Sequence, residues 1–366
     1  MLNMKVCLIG NGLTTLSLGK NLINKKIKVF NYTTDNKKKT RTRTIGISKD
    51  SLDFFNKEII QLKKNMTWDI KKIDIFTEKY KNKKIFNFEE SREKLFFMLK
   101  NNVIEEYLKK NLKKNKLFKK IIIKNDWSLK KVIDMNFDLI INCDANNFIT
   151  NEFFFRKINK NYNSKAFTCI IEHKKITNNT AAQIFTKIGP IAFLPLSNFK
   201  TSIVFSVNLK KKKFNDKEIL KLIKFYNYKY KILNFSKLEK FNLSFSISRN
   251  YFYRNILAFG DAIHRVHPLA GQGFNITLRD IKVLSDLIQK RIELGLPLNN
   301  SIFEEFENKT KHLNYIFTSA VDLIYEFFKF DNKINNNISK GLFKFMNKNK
   351  NFNKFFTKQA NKGLVL

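Results

Sequence analysis

Residues 260–275 read G-D-A-I-H-R-V-H-P-L-A-G-Q-G-F-N, a dense run of special residues in a chain that contains only 11 Gly and 4 Pro. The apolar run Ile256 to Phe259 precedes it and predicts a buried strand, and a helical pattern extends from about Asn275 to Ile292. The glycines at 271 and 273 leave backbone amides bare before that helix, whose N-terminus attracts anions and polar rings. An ordinary loop before a capped helix does not explain so many special residues together.

A second glycine motif, G-N-G-L-T-T at residues 10–15, follows an apolar strand and opens a helical stripe. This is the position of a dinucleotide-binding loop, in which Gly10 permits the tight turn and Gly12 lets the backbone approach a pyrophosphate. Thr15 replaces the third glycine, and Asn31 stands where we expect the acidic residue that binds a ribose hydroxyl. Taken alone, the motif is equally compatible with an ordinary glycine-rich turn between a strand and a helix.

The rest of the chain alternates between strand and helix patterns, and the region after residue 293 is mostly helical. Ile73 to Phe86 predicts an antiparallel hairpin with a polar tip at residues 79–84, and alternation between Ala166 and Val207 predicts several strands. Val103 to Leu112 predicts a helix, and Phe137 to Asn142 predicts a buried strand.

Composition limits the class of protein. With 366 residues, of which 43% are hydrophobic, the chain can bury a large core and is expected to form two joined domains. Lys plus Arg number 70 against 31 for Asp plus Glu, and the resulting net charge of +39 invites an anionic partner such as nucleic acid or lipid headgroups. The enrichment is uniform along the chain and carries no nucleic-acid-binding signature. We therefore predict compositional drift and no specific nucleic-acid partner.

Cysteine and histidine usage argues against metal and nucleophile chemistry. Cys7, Cys143 and Cys169 are widely spaced and form no C-x-x-C pair, so neither a disulfide framework nor a zinc cage is indicated. His264 and His267 are three residues apart, but no third ligand stands at matching spacing. We predict no bound metal and no catalytic nucleophile.

The run at 260–275 closely resembles the G-D-A-x-H-x-x-H-P-x-A-G-Q-G-x-N signature of the aromatic-ring flavoprotein monooxygenases, specifically the ubiquinone-biosynthesis hydroxylases that act on 2-polyprenyl-6-methoxyphenols. In that family the Asp contacts the ribityl and pyrophosphate part of FAD, while the Pro and the A-G-Q-G-x-N stretch border the isoalloxazine ring. The resemblance implies FAD-binding roles for Asp261, Pro268, Gly271, Gln272, Gly273 and Asn275. Among them, Pro268, Gly271 and Gln272 would line the flavin.

Further similarity runs nearly from end to end. R-T-I-G-I-S at 43–48 resembles a family element whose Arg, here Arg43, lies near the FAD phosphates, and the helix near Asn101 is similar to one that approaches the cofactor. Asp144 stands in the family's Asp-Gly turn, which serves FAD and the reduced pyridine nucleotide. Q-I-F at 183–185 and G-P-I-A-F-L-P-L at 189–196 resemble motifs of the substrate-domain sheet.

The sequence departs from the family pattern at several of these positions. Ala145 replaces the Gly after Asp144, Ile184 replaces an Arg, Lys100 replaces an acidic or amide residue, and Thr277 replaces a Gly. Together with Thr15 and Asn31, these changes suggest looser retention of FAD. They leave open the alternative of a degenerate FAD-binding scaffold or assembly subunit without hydroxylase activity.

The resemblance implies an α/β fold with a discontinuous, Rossmann-like three-layer FAD-binding domain, a mixed β-sheet substrate domain and C-terminal helices. The expected divisions are 1–65, 95–160 and 250–300 for the FAD domain, 66–94 and 161–249 for the substrate domain, and 301–366 for the helical region. FAD reduced by NAD(P)H would react with O₂ to give a C4a-hydroperoxyflavin that hydroxylates a polyprenylphenol. Because this chemistry belongs to the flavin, no catalytic side chain is predicted.

The C-terminal stretch carries a basic amphipathic pattern, with apolar residues recurring from Ile334 to Met346 among lysines. Such a helix suits a lipid headgroup interface, or it packs its apolar stripe on the FAD domain; a substrate that resides in the bilayer slightly favours membrane contact. The chain lacks a signal-peptide core and a run of roughly 18 to 20 apolar residues. We expect a cytoplasmic protein with contact at the inner face of the cytoplasmic membrane and with partner proteins of ubiquinone biosynthesis.

Overall fold

The computed structural model describes residues 4–34, 43–78, 84–89, 95–209, 214–266 and 273–331. Within these ranges the chain forms three β-sheets and eight α-helices. Several predicted features lie outside them: the tip of the hairpin at 79–83, the site residues Pro268, Gly271 and Gln272, His267, and the basic stretch after residue 331.

A six-stranded sheet forms the centre of the first part of the molecule. In spatial order its strands are β16 (Phe252–Tyr253), β17 (Ile256–Ala258), β9 (Leu139–Asn142), β1 (Lys5–Ile9), β2 (Lys28–Thr34) and β8 (Phe118–Ile123). All neighbours pair in parallel except β16 and β17. Every residue of β9 is buried, as expected for a strand covered on both faces of a parallel sheet.

A nine-stranded, mostly antiparallel sheet forms the second part. Eight strands follow the spatial order β18 (His264–Arg265), β15 (Glu239–Ser248), β10 (Lys157–His173), β13 (Lys200–Asn208), β12 (Pro190–Pro195), β11 (Thr180–Phe185), β5 (Lys72–Thr77) and β6 (Lys84–Glu89). The ninth, β14 (Ile232–Phe235), pairs with β10. The antiparallel pairing of β5 with β6 confirms the predicted hairpin. β18 lies within the range expected for the FAD domain but pairs with β15.

A small third sheet and the helices complete the fold. The sheet runs β3 (Thr44–Ser48), β7 (Phe96–Lys100), β4 (Thr67–Ile70). The helices are α1 (Leu13–Asn24), α2 (Lys49–Phe54, extended by a π-helical turn, Phe55–Ile59), α3 (Asn101–Lys113), α4 (Leu129–Ile133), α5 (Phe148–Phe153), α6 (Asp216–Tyr226), α7 (Gly273–Glu293) and α8 (Ser301–Asp331). The helices predicted near 103–112 and 275–292 are confirmed as α3 and α7.

Two hydrophobic cores organise these layers. The larger core joins the parallel sheet to α1, α3 and α7, through residues such as Leu8, Leu108 and Leu284. The second core lies between the nine-stranded sheet and α6 and includes Phe193 and Ile223. None of the helices, over the ranges that the structure covers, is long and apolar enough to cross a membrane.

Candidate functional site

The candidate site lies where three neighbouring parallel strands end. β1 is followed by Gly10, β9 by Cys143 and Asp144, and β17 by Phe259 and Gly260. Because β1, β9 and β17 run in parallel, their carboxyl ends meet at one edge of the sheet, beside the N-terminus of α1. Crevices at such an edge are the usual ligand sites of open α/β sheets.

Gly10 makes a turn that other residues cannot make. Its φ angle is +135°, and a Cβ atom added to it would lie 2.7 Å from Oγ1 of Thr15. Thr15 is 2% exposed, so it has little room to move away. The close approach of α1 to the sheet occurs one turn later, at Gly19, where an added Cβ would lie 3.3 Å from Leu8. Gly19 therefore supplies the close packing that the motif usually draws from its third glycine.

Gly12 has the opposite environment. Its φ angle of −88° is ordinary, and no atom of the described residues lies within 4 Å of an added Cβ. It is the N-cap residue of α1, with no side-chain cap and no acidic residue in the first turn. The first N–H groups of a helix have no partner within the helix, so this open backbone can receive an anion.

Gly260 packs against the same helix end. Gly260 has a φ angle of +60°, and a Cβ atom there would lie 2.7 Å from Cγ2 of Thr14 in the first turn of α1. Asp261 follows on a 3₁₀ turn and is exposed. The structure thus brings together three predicted cofactor residues, Gly10, Gly12 and Asp261.

Asp144 belongs to the same cluster and is held by a buried amide network. Its backbone N–H donates to Oδ1 of Asn142 at 3.2 Å, and its carboxylate accepts from the N–H of Asn146 at 2.9 Å. Asn142 is fully buried and also bonds Asn147 and Thr150. Sequence reasoning missed this network, although the polar run D-A-N-N directly after a buried strand was a signal for it.

Cys143 lies near the carboxylates of Asp144 and Asp261, and its thiol is unreactive. Burial raises the pKa of its thiol to about 12, and the nearby charges of Asp144 and Asp261 act in the same direction. The thiol therefore stays protonated at neutral pH and is a poor nucleophile.

Asn31 supports the glycine loop from below. It lies in the middle of β2, is 1% exposed, and donates to the carbonyl oxygens of Leu8 at 3.2 Å and Gly10 at 3.0 Å. A cavity of about 40 Å³ opens instead at the end of β2, lined by Gly10, Thr33, Thr34 and Asp144 among others. The acidic residue of a dinucleotide-binding motif usually stands about twenty residues after its glycines. About twenty residues after Thr15 the sequence has Asp35, which directly follows β2 and lies outside the described ranges.

Arg43 and Asn101 are adjacent at the start of β3 and α3. The backbone N–H of Asn101 donates to the carbonyl oxygen of Arg43 at 3.1 Å. Arg43 is exposed, whereas Asn101 is 7% exposed and donates to Glu105 at 2.7 Å. Next to Asn101, burial and the charge of Lys200 lower the pKa of Lys100.

Asn275 fastens the start of α7 to β3. Its side chain accepts from the N–H of Ser48 and donates to the carbonyl oxygen of Gly46, both at 3.0 Å. Gly273, the first residue of α7, is less constrained, because an added Cβ would make only an ordinary contact with Val266. Asn275 thus fixes where the helix N-terminus points.

His264, within the run 260–275, forms a buried pair with Asp280, which follows that run. Nε2 of His264 lies 2.9 Å from Oδ2 of Asp280, and both residues are at most 3% exposed. Asn314 of α8 donates to the same carboxylate oxygen at 3.2 Å and also bonds Arg279. His264 belongs to the run that resembles the family signature, but sequence reasoning did not find its partners Asp280 and Asn314. The observed contacts tie together β18, α7 and α8.

The substrate-domain motifs form a strand pair. In β11 and β12, Gln183 lies opposite Ala192 and Ile184 opposite Ile191. Ile184, where the family has an Arg, is 1% exposed and packs in the core of the nine-stranded sheet. A hydrogen bond of 3.0 Å between Thr44 and Ser202 joins this sheet to the small sheet.

Comparison with known sequences supports the family resemblance. The squalene epoxidase family model matches residues 229–356. The ubiquinone biosynthesis monooxygenase COQ6 of Dictyostelium discoideum is 24% identical over 285 residues, which cover 64% of this chain and 56% of that protein. The 3-demethoxyubiquinol 3-hydroxylase of Escherichia coli is 26% identical over 152 residues, or 40% and 39% of the two chains. The chain spans about half the length of the first curated relatives it matches.

Solved structures with the same fold confirm the predicted α/β architecture. p-Nitrophenol 4-monooxygenase PnpA of Pseudomonas putida superposes with a TM-score of 0.77 at 10% identity, covering 99% of this chain and 100% of that one. A variant of HpxO from Klebsiella pneumoniae complexed with FAD gives a TM-score of 0.71 at 10% identity, with 98% of each chain covered. At such low identity these structures establish the fold alone.

Proposed function

We propose that this protein is a flavin-dependent monooxygenase that hydroxylates the aromatic ring of a polyprenylphenol intermediate in ubiquinone biosynthesis, using FAD, NAD(P)H and O₂. The observation that carries the proposal is the uncrowded backbone at Gly12, at the N-terminus of α1 and beside Asp144 and Asp261. The names of the curated relatives support the reaction and the substrate class.

The residues at the sheet edge fit FAD. The N–H groups at the start of α1 would hold the pyrophosphate, because Gly12 leaves room for it and the helix dipole favours negative charge. The exposed carboxylate of Asp261 and that of Asp144 would accept hydrogen bonds from the sugar and ribityl hydroxyl groups. Gly10 supports this arrangement through its turn, and Asn31 through its bonds to the loop.

The flavin ring would lie at the other end of the site. We propose that Arg43 and Asn101 approach FAD from β3 and α3, and that Pro268, Gly271 and Gln272 line the ring. Gly273 and Asn275 would then direct the N–H groups of α7 toward the polar edge of the ring, where they stabilise negative charge.

When bound, FAD supplies the activation of oxygen and its transfer to the phenol. The protein orients the ring, excludes water and presents helix dipoles. The thiol of Cys143 at the sheet edge stays protonated and is a poor nucleophile. The long prenyl tail of the substrate and the basic C-terminal stretch support contact with a membrane surface and with partner proteins as parts of the same proposal.

The division into domains is also proposed. Residues 1–65, 95–160 and 250–300 would bind FAD, 66–94 and 161–249 would form the substrate domain, and 301–366 the helical region. The pairing of β18 with β15 means that the two larger parts share a sheet near His264.

Reconstitution followed by turnover tests the proposal. Purified full-length protein, mixed with FAD and passed through gel filtration, should keep flavin absorbance; loss of all flavin would refute the assignment. The loaded protein should then oxidise NADPH and place one atom of isotopically labelled O₂ on a short-chain prenylphenol, detected by mass spectrometry. Flavin retention without labelled product would identify a scaffold instead.

A further inference from the structure

The two faces of β10, β15 and β18 have different surroundings. One face packs on α8 through an apolar cluster that includes Tyr162, Phe245 and Tyr325. Side chains alternate along a strand, so the residues between these point the other way. In the observed register Asn159 pairs with Ser246, Asn161 with Ser244, and Ser246 also with Arg265. This second face is therefore polar, and no helix of the described ranges packs across it, although α5 borders it with Thr150 and Asn151.

The polar face forms the floor of a large groove. Its volume is about 1060 Å³, and its rim includes the exposed Phe155 and the partly buried Leu209. Four cations line the groove among amide and hydroxyl groups: Lys157, Lys165 and Arg265 on the polar face, and Lys160, whose ammonium group pairs with α8. The described residues that line the groove include no aspartate or glutamate. The groove thus offers positive charge and hydrogen-bond donors in a concave, partly dehydrated setting.

Lys157 is the most constrained of these cations. Burial, with the adjacent charge of Arg265, lowers the pKa of its ammonium group to about 8. By contrast, Lys160 on the opposite face bonds Asp322 at 2.9 Å and Glu326 at 3.1 Å. In a chain of net charge +39 an exposed lysine carries little information, but a partly buried lysine beside an arginine costs free energy in the unliganded protein. An anion in the groove would offset that cost.

Arg265 connects the groove to the site at the sheet edge. Its Nη2 donates to Oδ1 of Asn146 at 2.7 Å, and the N–H of Asn146 donates to the carboxylate of Asp144 at 2.9 Å. The guanidinium is thereby held in place and keeps further donors for a ligand. A planar arginine fork beside a lysine is the arrangement that proteins use for phosphate.

We propose that this groove binds a phosphate-bearing ligand at Lys157 and Arg265, at a site separate from the Gly10–Gly12 loop. The same chemistry could be presented by a soluble phosphorylated molecule or by a phospholipid headgroup. Asn159, Ser244 and Ser246 would add hydrogen bonds along the strand direction. The site does not depend on FAD, because its lining shares no residue with the glycine loop.

Calorimetric titration of the full-length protein with inorganic pyrophosphate tests the site. Gly12→Val is introduced throughout, so that the α1 N-terminus does not take up the probe and failure of the FAD proposal cannot affect the result. Lys157→Gln and Arg265→Gln should each weaken binding about tenfold or more, since each removes a charged hydrogen bond. Lys175→Gln removes the same unit charge from an exposed position outside the groove and should leave binding within about twofold. Equal losses in all three variants, or no loss at Lys157, would overturn the proposal.

The pH dependence of sulfate binding provides a second readout. Sulfate keeps its charge near neutral pH, and the described residues that line the groove include no histidine, cysteine or carboxylate. Arg265 on β18 is the charge that acts on Lys157. The groove lining also includes Lys165 and Lys160 on β10, and Lys160 pairs with Asp322 and Glu326 of α8, while the lining side chains of β15 are neutral. Sulfate affinity should therefore fall as pH rises through about 8 in the parent protein. It should stay constant in Lys157→Arg, which retains its charge; an identical fall in that variant contradicts the assignment.

Vesicles distinguish the two sources of phosphate. If the ligand is a headgroup, vesicles of phosphatidylcholine with phosphatidylglycerol should retain the protein, and Lys157→Gln should abolish the retention that Lys175→Gln preserves. If the ligand is soluble, pyrophosphate binding depends on Lys157 while vesicle retention does not. Either result supports the groove as a phosphate site. Independence of both measurements from Lys157 and Arg265 refutes it.

Discussion

The two large sheets of this protein offer two different kinds of surface for ligand binding. The parallel sheet around β1 and β9 is buried on both faces, so only its carboxyl edge is available, and there the backbone at Gly10, Gly12 and Gly260 decides what fits. In the described part of the chain the nine-stranded sheet leaves one face of β10, β15 and β18 open to the groove, and there the side chains decide which ligand fits. A backbone site is sensitive to a single added carbon atom, whereas a side-chain site is sensitive to charge.

The largest effect is expected where the two regions join. His264→Leu removes one partner of the buried carboxylate of Asp280 and leaves it with Asn314 and Arg279, and breaking a buried pair in this way costs about 4 kcal/mol. Chemical denaturation should show this loss of unfolding free energy. His312→Leu, at an exposed histidine of α8, is the matched control and should change stability little. If His264→Leu and Asp280→Leu combined cost as much as the sum of the single changes, the pair is not coupled.

That joint also marks the limit of prediction from sequence. The strand, glycine turn and helix at 5–24, the buried strand before Asp144 and the long helix after residue 273 follow from local apolar spacing, and all were predicted. The bond between His264 and Asp280 spans 16 residues and that between Asp280 and Asn314 spans 34, so no local pattern encodes them.

Whether a site residue can be located from the sequence depends on the same distinction between local patterns and long-range contacts. Gly10, Gly12, Asp144 and Asp261 come together because parallel strands must end at one edge, which the strand order already implies. Asn31 was expected at a strand end, but β2 continues to Thr34, and strand ends are the least certain part of a sequence-based prediction. The uncovered face of β10 was not foreseen, because alternation predicts a strand without showing which face a helix will cover.

Gly10→Ala tests whether the first glycine is structural. The residue's φ angle of +135° and the short distance to Thr15 predict a loss of about 3 kcal/mol in unfolding free energy. Thermal denaturation of the protein without FAD measures it. Gly12→Ala is the control two residues away, where nothing contacts the new carbon, and it should change stability by no more than about 0.5 kcal/mol. Equal losses in the two variants would contradict the distinction between these glycines.

Gly12→Val tests whether the second glycine faces a ligand. Because its surroundings are empty, the fold should keep its melting temperature, while the branched side chain blocks the approach of a pyrophosphate to α1. FAD affinity should fall about 100-fold, equivalent to about 3 kcal/mol. Flavin fluorescence quenching measures it, with Gly12→Ala giving a smaller loss. Unchanged FAD affinity in Gly12→Val would remove the main support for the cofactor site.

The smallest effect is expected in the polar groove, and it has the opposite sign. Because the pKa of Lys157 is lowered to about 8 in the folded protein, its charged form is disfavoured there relative to the unfolded chain. Lys157→Gln removes that penalty, and after allowance for solvent screening it should stabilise the unliganded protein by about 1 kcal/mol below pH 8. Between the folded pKa of about 8 and the higher pKa of the unfolded chain, the unfolded chain binds more protons than the folded protein, so the stability of the parent protein rises with pH. The difference between the two proteins should therefore fade over that range.

Urea denaturation of both proteins on either side of pH 8 measures that difference, with Lys175→Gln as the exposed control. A gain that persists unchanged at high pH would show that Lys157 carries no electrostatic penalty. A gain that vanishes as stated, together with weaker binding of pyrophosphate, would show that the folded protein keeps a destabilising charge where the ligand needs it. Stability and binding would then oppose each other on the uncovered sheet face. At the carboxyl edge of the parallel sheet the two properties should be separable, because Gly12→Val is expected to weaken FAD binding without changing stability.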